Sequence, residues 1–75
     1  MALPTEEDLV RAKKDFSYHP PKEDQIPRYN DIRGMAHAFA LALVQNCPSS
    51  RERSLAITNL EQAVMWANAA IARNE

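Results

Sequence analysis

From Ser49 to Asn74 the apolar positions recur at helical spacing. Ile57, Leu60, Val64, Ala67 and Ile71 step by three, four, three and four. A second row, Ala56, Ala63, Ala67 and Ala70, carries small side chains that let another helix backbone come close. Leu55 and Trp66 fall off the main stripe and add apolar area elsewhere on the circumference, so this helix wants more than one neighbour. Upstream, a second helix is predicted from about Pro27 to Asn46, with Tyr29, Ile32, Ala36, Phe39 and Leu43 as its stripe. Between Met35 and Val44 only His37 is polar, the pattern of a helix covered on several sides. Pro27 suits a first helical turn, and Pro48 stops the helix. Ser49-x-x-Glu52 has the spacing of a capping box for the last helix. The connection is short, so the last two helices are expected to form an antiparallel hairpin.

A shorter helix is predicted near the N-terminus. Thr5 can cap it, Glu6, Glu7 and Asp8 suit the positive end of its dipole, and Lys13 and Lys14 suit the other end. Leu9, Val10, Ala12 and Phe16 give it a modest apolar face; at about three turns it is marginal unless packed on something. Pro20 and Pro21 then impose an extended elbow. The expectation is an all-α single domain over 1–75, with a helical arm over 1–16, a proline-rich elbow over 17–26 and a hairpin over 27–75.

Size sharpens this picture. A chain of 75 residues hides only about 60% of its unfolded surface, and chains this small lean on disulfides, metals, oligomerisation or very good helix packing. Cys47 is the one cysteine and His19 and His37 the only histidines, too few for an internal disulfide or a structural zinc site. Self-association is the natural route to stability. No run of about 18 apolar residues is present, so no membrane span is expected. The N-terminal residues show no signal-peptide pattern, and a lone thiol fits a reducing cytoplasm. A net charge of −1 lacks the basic field needed to grip long nucleic acid, but it leaves room for a small anion held by two or three cations.

No catalytic constellation, glycine-rich phosphate loop or cofactor motif is present, so no enzyme is expected. The candidates are for binding. Arg28, Tyr29 and Arg33 sit at the start of the second helix, with Tyr29 and Arg33 on one face. Tyr18, held in the elbow, offers a ring on which a base could stack. From composition alone, the favoured account of these residues is packing of Tyr18 over the hairpin and pairing of Arg33 with an acid. Gly34 is either a tolerated glycine or a point of close approach.

Three segments carry a family likeness: Tyr18 in the elbow; Asn30-Asp31-Ile32-Arg33; and Leu55 to Met65, which follows the pattern apolar-Ala-x-Thr-x-Leu-x-x-small-x-Met. With these the chain resembles the small helical-hairpin sponge proteins of bacteriophages, the anti-CBASS and anti-Thoeris proteins, over roughly Tyr18 to Arg73. The resemblance implies a homohexamer of three interlocked dimers that holds cyclic dinucleotides between subunits without cleaving them, acting in the host cytoplasm. It implies that Tyr18 stacks on a base and that Arg33, where some relatives have lysine, meets a phosphate. Arg28, Tyr29, Lys22 and His19 are further candidates for the same ligand site. Some relatives also hold cyclic trinucleotides through an arginine late in the last helix; Ala69 occupies its place here, with Arg73 one turn on. The rival expectations are a small structural or protein-binding helical oligomer, and a hydrolase of the same signals.

Overall fold

Helix α1, Glu6–Asp15, starts where its capping residues dictate. The Thr5 hydroxyl accepts from the Asp8 N–H at 3.1 Å, and the Asp8 carboxylate accepts from the Thr5 N–H at 3.0 Å, satisfying two amides that the helix cannot pair itself. At the other end the Ser17 hydroxyl donates to the Lys13 carbonyl, and His19 Nε2 donates to the Lys14 carbonyl at 2.7 Å. The computed structural model describes residues 3–75; Met1 and Ala2, the first positions of the expected arm and domain, lie outside the described residues.

Helix α2 spans Ile26–Asn46 and helix α3 spans Arg51–Asn74. The described residues are therefore all-α, three helices with no strand, and α2 and α3 form the expected hairpin. Helix α2 begins one residue before the predicted Pro27. Gln25 already has helical dihedrals, and its N–H closes a turn onto the Lys22 carbonyl at 3.0 Å.

The cap of α3 differs from expectation. Ser50, not Ser49, is extended and accepts from the Arg53 N–H at 3.1 Å. This register puts Arg53 where Glu52 was expected, so no reciprocal carboxylate bond forms. Arg53 instead turns back across the connection, and its Nη1 donates to the Cys47 carbonyl at 3.2 Å. Orphan carbonyls at the end of α2 thus gain a cationic partner, and Arg53 is not the solvated first-turn residue its position suggests.

The seam of the hairpin runs along the predicted stripe of α3: Ile57, Leu60, Val64 and Ala67 are half-buried and Ile71 is 8% exposed. On α2 the seam passes through Tyr29, Ile32, Ala36, Ala40 and Leu43. Phe39, expected in that stripe, points outward, because Ala40 takes the close position against α3. Met35, Leu41, Val44, Leu55, Met65 and Trp66 are exposed on the outer faces. Nothing in α1 is buried, and Phe16 just after it is 93% exposed. The molecule is 13 Å thick against 50 and 38 Å in its other extents, roughly the 10–12 Å diameter of one helix. Its radius of gyration is 17.0 Å, where a compact domain of this length has about 11 Å. The described residues form one layer of helices, with no second layer among them to cover its apolar faces.

Candidate functional site

The antiparallel hairpin brings the start of α2 beside the end of α3. The elbow and the last residue of α1 close over that end and leave a cavity of about 520 Å³. Ile26, Tyr29, Asn30 and Arg33 line it from α2, and Asn68, Ala69, Ala72 and Arg73 from α3. Asp15, Ser17, His19 and Pro21 complete the wall. Tyr29 and Arg33 are there because they lie one turn apart on the face that α2 turns toward α3.

The charges in this wall are two guanidinium groups against one carboxylate. Arg33 has no hydrogen bond or ion pair among the described residues, so the acidic partner considered for it is absent from the chain's own packing. Arg73 stands 4.0 Å from Asp15, which also accepts from Arg11 at 3.2 Å. Asn68 Oδ1 is buried without a hydrogen-bond partner. A wall of this kind, with a free cation, an aromatic ring and amides beside apolar carbons, can hold a small anionic molecule carrying flat apolar parts.

The residues singled out in the sequence separate here. His19, Tyr29 and Arg33 line the cavity together. Tyr18 does not line it and is 85% exposed. Arg28 and Lys22 are drawn away to Glu75: Arg28 pairs bidentately with its carboxylate at 2.8 and 2.6 Å, and Lys22 Nζ donates to its carbonyl oxygen at 2.8 Å. That pairing raises the Arg28 pKa and holds the Glu75 carboxyl at about 2, first through the Arg28 hydrogen bond and then through Gln25.

Sequence reasoning missed Asn68 and Asp15 as wall residues and placed Arg73 only as one turn beyond the position of the relatives' arginine. The signal was available for α3: an antiparallel hairpin sets residues 68–73 across from residues 26–33. A Cβ built on Gly34 meets nothing within 4 Å, so nothing in the chain itself requires a glycine there.

Among the described residues no group of three or more His, Cys, Asp or Glu is placed to hold a metal ion, and no helix is long and apolar enough to cross a membrane. No curated protein and no solved structure matches the chain. The family model described as Acb2/Tad1, hairpin domain, matches residues 8–72, from the first turn of α1 to the last turn of α3. The chain therefore belongs to the Acb2/Tad1 hairpin family, the non-catalytic sponges with which phages counter CBASS and Thoeris defence.

Proposed function

We propose that this protein binds and sequesters cyclic oligonucleotide immune signals in the host cytoplasm, cyclic dinucleotides first and cyclic trinucleotides second, and releases them unchanged. The observation that carries the reading is the unpaired Arg33 beside Tyr29 in the cavity at the end of the hairpin. A guanidinium without a protein partner can fork onto a phosphate, and the neighbouring ring can stack on a base.

The working unit is an assembly of this chain, a hexamer of interlocked dimers. A single layer of helices with exposed Met35, Phe39, Met65 and Trp66 supports this, because an apolar surface of that extent calls for a partner. In the assembly Tyr18, which stands free on the elbow, reaches the ligand of a neighbouring copy. Closing the ligand between chains excludes water and strengthens its charge contacts. The same exposed surface favours one second reading, a structural or protein-binding helical oligomer that takes up no nucleotide.

Native mass spectrometry with 3′,3′-cyclic GMP–AMP and with cyclic tri-AMP separates these readings. The expected result is a hexamer that gains whole ligand masses and, on heating, returns the ligand intact. An oligomer that takes up neither compound overturns the sponge and leaves the structural module. Recovery of linear product overturns sequestration in favour of hydrolysis.

A further inference from the structure

Glu75, just beyond the last turn of α3, gathers three residues of the elbow and the first turn of α2. Arg28 forks onto its carboxylate at 2.8 and 2.6 Å, Gln25 Nε2 donates to Oε1 at 3.4 Å, and Lys22 Nζ donates to its carbonyl oxygen at 2.8 Å. Gln25 is the knot of this cluster. It is only 3% exposed, the one polar residue buried as a whole among the described residues. Its Oε1 accepts from the Lys22 N–H at 2.9 Å, and its own N–H donates back to the Lys22 carbonyl at 3.0 Å. A buried carboxamide left unpaired is costly, so one bonded through both its oxygen and its nitrogen favours a single arrangement.

The clasp residues alternate with the cavity wall. Lys22 follows Pro21, Gln25 precedes Ile26, Arg28 precedes Tyr29, and Glu75 lies two residues past Arg73. Among the described residues, no other hydrogen bond or ion pair ties the elbow or α2 to the end of α3. We infer that Gln25, Arg28 and Glu75 are positioning residues of the ligand site: their clasp sets the spacing between the wall bearing Tyr29 and the wall bearing Arg73. The inference rests on the ligand reading above and assigns Arg28 a different role from a phosphate contact. Its charge is already met by Glu75, so it acts on the ligand through the geometry of the wall. A site held loosely by its supporting residues loses affinity even when every contacting group is present.

The test uses the full chain, 3′,3′-cyclic GMP–AMP as probe, and the variants E75A, E75Q, R28A and the exchanged pair R28E/E75R. Dissociation constants are read beside amide hydrogen exchange at Lys22 and Gln25. The expected result is a loss of about tenfold in affinity for E75A, E75Q and R28A alike, the size set by losing a charged hydrogen bond. Exchange at both amides speeds up in step. The exchanged pair, in which the ion pair re-forms inverted, returns both readouts to near wild type. A plain contact role for Arg28 predicts otherwise: R28A would weaken binding, E75A would not, and the exchanged pair would bind as poorly as R28A; that pattern overturns the inference. Wild-type protein that takes up no probe defeats the ligand reading instead. The clasp is then judged by exchange alone, and unchanged exchange in E75A overturns it.

Discussion

Helix α1 and the α2–α3 hairpin are both helical for reasons visible in the chain, yet they are held by different forces. Helix α1 has a complete capping box, acids in its first turn and bases in its last, all of them local. It buries nothing, so within one chain its conformation is specified while its packing is not. The hairpin has a weaker opening, since Gln25 makes no side-chain cap, but it has a seam that ends on buried Ile71. Local hydrogen bonds decide that a segment is a helix; burial decides where that helix sits. The hairpin is also only half satisfied, because its outer faces remain apolar and bare.

The largest effect that can break this contrast is at the seam. Ile71→Ala is expected to destabilise the hairpin by about 2–5 kcal/mol, read as a lower midpoint in urea, whereas Leu9→Ala in α1 leaves that midpoint nearly unchanged for the isolated chain. Equal losses would mean that α1 packs as tightly as the hairpin in solution. Arg33→Ala comes next: removing the unpaired cation is expected to weaken 3′,3′-cyclic GMP–AMP binding about tenfold or more without moving the urea midpoint, and calorimetric titration beside denaturation checks both halves. Unchanged affinity would take Arg33 out of the site.

The α1 side of the comparison is sharpened by Thr5→Ala. Loss of the cap is expected to cost about 1 kcal/mol, confined to residues 6–15 and visible as faster amide exchange there, with the hairpin amides unaffected. Spread of the effect into α3 would show that the two regions fold together.

The smallest effect is a titration. Glu75 is held at about 2, below its usual 4.5, by the hydrogen bonds from Arg28 and Gln25. A carboxylate depressed by folding contributes stability in full above its unfolded value and loses it as pH falls through the folded value. The clasp should therefore hold above pH 4.5 and be lost progressively down to about 2. Carbon NMR of the Glu75 carboxyl should give a low midpoint that rises in Arg28→Ala. A midpoint near 4.5 in the wild-type protein would mean that the clasp does not persist in solution.

The residues that sequence reasoning placed well are those decided within one turn of helix. Thr5 caps α1, the Ile57–Ile71 stripe forms the seam, and Tyr29 and Arg33 share a face, because each depends on spacings of three or four residues. The misplacements involve a choice between near-equivalent neighbours. Ser49 and Ser50 can both cap, and the connection after Pro48 selects Ser50. Phe39 and Ala40 can both face inward, and the close approach of α3 selects the smaller.

The sequence by itself determined that this chain is all helical, that its last two helices fold back on each other, and that it carries more apolar surface than it can cover alone. Periodicity and capping are local properties, and composition limits how much surface one short chain can hide. Only the tertiary structure decided which cations are free. Arg28, Lys22, Arg33 and Arg73 look alike along the chain, but Glu75 takes the first two across some 50 positions, Arg73 stands at the edge of Asp15, and Arg33 is left with the cavity. Long charged side chains go to whatever partner the fold brings within reach, and that partner is set by the crossing of helices rather than by any spacing in the sequence.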